Sequence, residues 1–414
     1  MIKKKLTAAV LALGISASLL FQMPVSATAQ GAEQTSSIKT NAIPGWPQAA
    51  DISSTAAVVM ESSTKTSLFS KNANQPLYPS AAVKIMTTLV ALENSQLTDT
   101  VTMTATGVSG VTDGGVNISA QLDETFTMEQ CLYAIMVASA NDIALQVAEH
   151  VGGSVEAFVE KMNARAKELG CKDTIFTNPT GLPDENQHTT AYDMALIMRA
   201  AMNNDTFRTI AAAQSYTIPA TNVSGGERAL TNKFTMTNTA DPAYYQGCLG
   251  GKEGYTQASG STLVCAASRN GVTLICVVLN GAAGVTDDEA ISLLNYGYDN
   301  FGKLELPDED LNRISGGIVF VPNGASADSL TFKDKEKGDK IRRSYYFGDT
   351  RVGTATLENE VAVEDTKAET GAKNMKEAEE FSAARSNTMY YVIGGIGISV
   401  LLLLLFLMIR VIKS

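Results

Sequence analysis

Apolar residues recur at helical spacing along much of the chain and alternate or run together in shorter stretches, which separates helices from strands. From Ala81 to Glu93, Ala, Val, Ile, Met and Leu repeat as on a buried helix. Pro79 suits a first helical turn, and Ser80 beside it is a capping type. Thr127 caps an apolar helix over Met128–Val137. Ser139-Ala140-Asn141 interrupts it, Asp142 to His150 resumes the spacing, and Gly152-Gly153 stops it. Further helices are predicted over Val155–Leu169, Thr190–Met202 and Glu289–Phe301. Ala56–Met60 and Thr66–Phe69 read as a hairpin. Ser215–Ala220, Thr262–Ser268 and Val272–Leu279 read as strands, the last two joined by the hairpin turn Asn270-Gly271. Val101–Leu122 mixes short β-type runs with glycine and forms a lobe near the cleft, and 178–183 is a turn-rich loop. Strands at both ends of a helical middle predict an α+β layout: one mixed sheet with helices on its faces.

The pattern changes character outside residues 49–302. Residues 1–29 carry Lys3, Lys4 and Lys5, an apolar run from Leu6 to Phe21 and small residues suited to cleavage, so they read as a secretory signal. A permanent anchor there is the competing reading, and the short run argues against it. Residues 30–48 are rich in Ser, Thr, Gln and Gly and predict a flexible leader. Residues 303–357 hold short strand-like pieces and glycine turns and predict a small all-β domain. Residues 358–388 are acidic, with no apolar face, and predict a solvated stalk. Residues 389–409 are continuously apolar and long enough for a transmembrane helix. Arg410 and Lys413 follow, which places the 410–414 tail in the cytoplasm. The expected location is therefore the outer face of the cytoplasmic membrane, with the C-terminal helix as anchor.

Charge and residue counts narrow the chemistry. A formal net charge of -11 argues against nucleic acid as a partner. Only two histidines, His150 and His188, argue against a multi-histidine zinc site and weaken any Ser-His-Asp triad, and neither a metal nor a cofactor is expected. Five cysteines (131, 171, 248, 265 and 276) form no C-x-x-C pair. Cys131 and Cys265 read as buried thiols, and a Cys171–Cys248 bridge is conceivable. Lys84 is the anomaly, a charge one turn into an apolar helix. It either snorkels to the surface or is a desolvated base able to take a proton from a nearby hydroxyl.

Three motifs bear on that choice: Lys84 in Y-P-S-A-A-V-K-I-M-T, Ser139-Ala140-Asn141, and Lys252-Glu253-Gly254. Their order and separation resemble the S-x-x-K, S-x-N and K-T/S-G signature of serine penicillin-recognising enzymes. The flanking S-A-N-D with A-E-H-V-G-G, and N-P-T-G-L-P-D-E-N-Q-H-T-T-A-Y-D-M-A, resemble the D-alanyl-D-alanine carboxypeptidases, the low-molecular-mass penicillin-binding proteins. The resemblance covers Ala49 to Phe301, with a weaker echo to Leu357. It implies a penicillin-binding/β-lactamase-like transpeptidase domain followed by a small β-domain. It also implies a serine that cleaves the terminal D-alanine from peptidoglycan stem peptides through an acyl-enzyme, and that β-lactams acylate. Lys84 would be the base, Ser139 would pass the proton to the leaving amine, and Asn141 would hold Lys84 and the substrate amide. Lys252 would supply positive charge, and the Tyr255 N–H beside that of the nucleophile position would form the oxyanion hole.

Two departures decide the functional expectation. The nucleophile position, three residues before the lysine, is Ala81, and the third-motif hydroxyl that helps bind the substrate's terminal carboxylate is Glu253. The arginine that the family often carries before the last helix is missing from Gly284–Asp288. Ser80, four residues before Lys84, lies on the same helix face but is rotated by about 100°. Glu253 either repels a substrate carboxylate or pairs with Lys252 or another cation at the cleft rim. The expectation is a degenerate relative that binds a substrate or partner. The alternative is an active carboxypeptidase working through Ser80, Lys84 and Ser139, and only then would β-lactams acylate it. A third reading uses the fold as a surface spacer.

Overall fold

The computed structural model describes residues 38–111, 115–307 and 313–359, and beyond them 373, 376, 380, 389, 395–405 and 407–408. The chain divides into two units, Met1–Ser36 and Ser37–Ser414, and the described residues all belong to the second. The predicted signal and most of the predicted stalk lie outside them.

In chain order the elements begin with β1 (Ala56–Glu61), β2 (Ser67–Lys71), α1 (Val83–Asn94), β3 (Thr100–Thr102), α2 (Ala105–Ser109) and β4 (Thr125–Thr127). A helical run follows: α3 (Met128–Val137), α4 (Asn141–Gly152), α5 (Val155–Leu169), α6 (Ala191–Ala201) and α7 (Asp205–Ala212). Then come β5 (Ser215–Ile218), β6 (Arg228–Thr231), β7 (Cys248–Thr256), β8 (Gly260–Arg269), β9 (Val272–Gly281) and α8 (Thr286–Asn300). The chain continues into β10 (Phe301–Glu305), β11 (Arg313–Pro322), β12 (Thr331–Lys337), β13 (Lys340–Phe347) and β14 (Thr350–Glu358).

The main sheet has the order β2-β1-β9-β8-β7, so the first and last strands of the domain meet at its centre. The expected mixed sheet is antiparallel throughout, because β1–β2 and β7–β8–β9 are hairpins and β1 joins β9 antiparallel as well. Both faces are covered, and period-2 alternation sorts the side chains between two cores. Val58, Met60, Val264, Ala266, Ile275 and Val277 face the helical layer. Val59, Leu263, Cys265, Leu274, Cys276 and Val278 face α8 and the C-terminal β-domain. β5 pairs only with β6, in a separate two-stranded sheet. The sequence pattern missed β6 and α7, although Asn204 caps α7 by accepting from the Phe207 N–H.

The five C-terminal strands form a second antiparallel sheet in the order β10-β11-β14-β13-β12. It is not an isolated module, since Val319, Phe320, Val321 and Tyr345 share a core with the main sheet. Part of the predicted flexible leader is packed into that junction. Ile38 bridges to Lys71, and Trp46 is 3% exposed and donates to the Leu68 carbonyl at 2.8 Å. The Trp46 ring lies 5.0 Å from the Phe301 ring and 5.9 Å from the Phe347 ring. One large aromatic outweighs the polar composition around it, which is why 38–48 folds. All five cysteines are free, with Cys131 and Cys265 buried as expected, so the conceivable Cys171–Cys248 bridge is not formed. Residues 395–405 are helical, and among the described residues no helix is long and apolar enough to cross a membrane. Part of the predicted span 389–409 lies outside those residues. Trp46→Ala removes the ring that joins the two sheets, with an expected loss of about 3–5 kcal/mol in urea unfolding.

Candidate active site

Four segments converge at the free edge of β7: the turn before α1, the α3–α4 junction, the 178–183 loop and the start of α8. They enclose a cleft of about 840 Å³ lined by Ser80, Ala81, Lys84, Ser139, Asn141, Lys252, Glu253, Gly254 and Tyr255. Every residue singled out from the sequence thus reaches one cleft.

The approach to α1 differs from expectation. Ser80–Ala82 forms a 3-10 turn, α1 begins at Val83, and its N-cap is Ala82 without a side-chain bond, so Ser80 does not cap the helix. Ser80 has φ +51°, a left-handed conformation that costs a non-glycine residue about 1–3 kcal/mol. Two glycines press the turn into place. A Cβ on Gly181 would fall 1.9 Å from the Ser80 carbonyl oxygen, and one on Gly254 would fall 2.7 Å from the Ala81 nitrogen and 2.8 Å from Ser80 Oγ. No other residue type fits at either position, and the Ser80 oxygen stands beside Gly254.

Lys84 does not snorkel: it is 1% exposed. Its ammonium donates to Asn141 Oδ1 at 2.6 Å and to the Thr180 carbonyl, and among the described residues it bonds neither to Ser80 nor to a carboxylate. Burial holds its pKa well below the ordinary lysine value, and the nearby Lys252 lowers it further, against a smaller opposing effect of Asp142. Asn141 opens α4, and its backbone N–H donates to the Val116 carbonyl at 2.8 Å. Asp142 accepts from the Ile118, Ala120 and Ile143 amides and so pins the 116–120 segment at the cleft. Ser139, at φ +60°, forms the break between α3 and α4.

On β7, Lys252 is 2% exposed and donates to the Met136 carbonyl at 3.0 Å. Burial brings its pKa down to about 8. Glu253 is half-buried, and among the described residues it makes no ion pair with Lys252; burial and then the Asp287 carboxylate push its pKa up to about 7. Asp287 lies in the first turn of α8 and has one carboxylate oxygen, Oδ1, buried without a hydrogen bond. Tyr255 is exposed at the mouth. Sequence reasoning did not single out Thr180, Gly181, Lys233, Thr235 or Asp287 as site residues, yet all line the cleft. Asp287 lay within the stretch noted for its missing arginine, while Lys233 and Thr235 follow β6 with no motif to mark them.

A nearly dry lysine, an amide holding it, a second buried lysine and a strand edge meet in this one cleft. The S11 peptidase family model, described as D-alanyl-D-alanine carboxypeptidase, matches residues 44–283, more than half of the 414 residues, and the chain belongs to that family. D-alanyl-D-alanine carboxypeptidase DacF of Bacillus subtilis is 33% identical over 55% of this chain and 57% of its own length. DacB2 of Mycobacterium tuberculosis is 34% identical over 53% of this chain and 74% of its own. The chain thus spans little more than half of the first relative. Among solved structures, a D-alanyl-D-alanine carboxypeptidase from Mycobacterium tuberculosis aligns with a TM-score of 0.57 and 29% identity, over 62% of this chain and 95% of that one. Penicillin binding protein 6B of Escherichia coli shares the fold, with a TM-score of 0.61 at 24% identity over 77% and 98%.

Glu253 yields a prediction with a defined sign. Its folded pKa is raised from 4.5 to about 7, so its ionisation costs nothing below pH 4.5 and destabilises the fold increasingly as pH rises through 7. Asp287 and Asp241 raise it against Lys252 and Lys233. Glu253→Gln should therefore raise Tm by a few degrees above pH 7 and leave it unchanged below pH 4.5, as read by scanning calorimetry.

Proposed function

We propose that this protein is a catalytically silent, membrane-anchored relative of the D,D-carboxypeptidases that binds peptidoglycan stem peptides without cleaving them. The carrying observation is Ala81. It occupies the position where the family resemblance puts the attacking hydroxyl, in a cleft that retains Lys84, Ser139, Asn141 and Lys252. A methyl group cannot form an acyl-enzyme. Ser80 is a poor substitute: its oxygen is beside Gly254, and the hydrogen bonds of Lys84 run to Asn141 and Thr180 instead. An error near 1 Å at a nucleophile costs about a hundredfold in rate.

The anchor belongs to the same proposal. The lysine-rich start with its apolar run supports export, and the apolar 389–409 stretch before Arg410 and Lys413 supports retention on the outer face of the cytoplasmic membrane.

Incubation with a fluorescent penicillin should leave the full chain unlabelled. Ala81→Ser should bring a covalent label at position 81, because the base and its supports are already in place. A label mapped by mass spectrometry to Ser80 of the unaltered chain, or release of D-alanine from a pentapeptide, would overturn the silent reading. A chain ended at residue 388 should move from the membrane fraction to the soluble one; its persistence in the membrane would remove the anchor.

A further inference from the structure

Lys84 and Lys252 are 1% and 2% exposed, they line the same cleft, and among the described residues neither forms an ion pair. Lysines this buried are rarely without an anionic partner. Each spends its hydrogen bonds on neutral oxygens: Asn141 Oδ1 and the Thr180 carbonyl for Lys84, the Met136 carbonyl for Lys252. The cleft centre is therefore floored by two buried amines whose protonated forms a bound anion would stabilise. Ala81 lines the same cleft and carries only a methyl group.

The wall formed by β7 and α8 carries two carboxylates, with Lys233 as a nearby countercharge. Glu253 and Asp287 both line it, and Asp287 Oδ1 is buried without a hydrogen bond. An anion on the floor meets two lysine amines and stabilises their protonated forms, whereas an anion against that wall meets two carboxylates and the single countercharge of Lys233.

We propose that the cleft is a receptor for stem peptides that have already lost their last residue, with the new terminal carboxylate seated over Ala81 against Lys84 and Lys252. This rests on the silent-binding reading and adds the ligand to it. In an extended peptide one residue advances the chain end by about 3.3 Å. A peptide one residue longer puts an uncharged amide over the lysines and carries its carboxylate towards Glu253 and Asp287. The missing hydroxyl and the acidic third motif then serve one purpose: the first makes room for a second carboxylate oxygen, and the second turns away the uncut chain end. The protein would act after a D,D-carboxypeptidase reaction, on its peptide product.

The test is calorimetric titration of the full chain in detergent with three synthetic peptides: diacetyl-Lys-D-Ala, the same peptide ending in a carboxamide, and diacetyl-Lys-D-Ala-D-Ala. The short acid should bind about tenfold or more tightly than either of the others, as expected for loss of a charge-assisted contact. The carboxamide comparison needs no variant and so is independent of folding. Glu253→Gln with Asp287→Asn should narrow the gap between the short and long acids, while Lys252→Met should abolish the preference for acid over carboxamide. Equal or tighter binding of the long acid without turnover would overturn this inference and leave the silent reading standing. Release of D-alanine from the long acid would overturn the silent reading itself. Failure of all three peptides to bind would also overturn the inference.

Discussion

A lysine amine almost wholly removed from water, bonded among the described residues to no carboxylate, constrains everything around it. Lys84 can be tolerated at 1% exposure only if fixed dipoles replace its hydration, and Asn141 and the Thr180 carbonyl are those dipoles. They come from the first turn of α4 and from the 178–183 loop, so one side chain ties three segments far apart in the chain. The α3–α4 break at Ser139 is needed to present Asn141. The Asx-type turn in which Asn178 Oδ1 accepts from the Thr180 and Gly181 amides is needed to present the carbonyl.

Backbone packing enforces the same geometry from outside. Gly181 and Gly254 hold the Ser80–Ala82 turn between them at distances no Cβ would permit, and Ser80 is kept left-handed as a result. The local strain is sustained by the surrounding fold, as is usual where a backbone must present a precise surface. That surface persists with alanine at its centre. The desolvated lysine, its two acceptors and the glycine clamp together support the proposal that the cleft receives a ligand.

Much of this was legible in the residue pattern, for physical reasons that differ from element to element. The long helices carried strong 3.6-residue periodicity, and Asn270-Gly271 announced its hairpin. Lys84 stood out because charge in an apolar helix is expensive, and the cleft residues came with the motifs. Less visible was whatever depends on distant partners. The direction of pairing in the central sheet is set by which hairpins meet, and β1 against β9 is a contact between residues more than 200 positions apart. The packing of 38–48 hung on one indole in a polar stretch. Asp287 became meaningful only when α8 brought it beside Glu253. The left-handed turn at Ser80 is imposed by two remote glycines and has no local signature at all.

Trp46 is the only tryptophan in the chain, and it sits where the two large sheets adjoin. The single indole of the chain thus lies at the boundary whose integrity tells whether both halves are docked, and it can be excited apart from the 13 tyrosines. Its emission reports whether the C-terminal sheet stays packed on the main one, so undocking of the two can be followed optically, with no added dye.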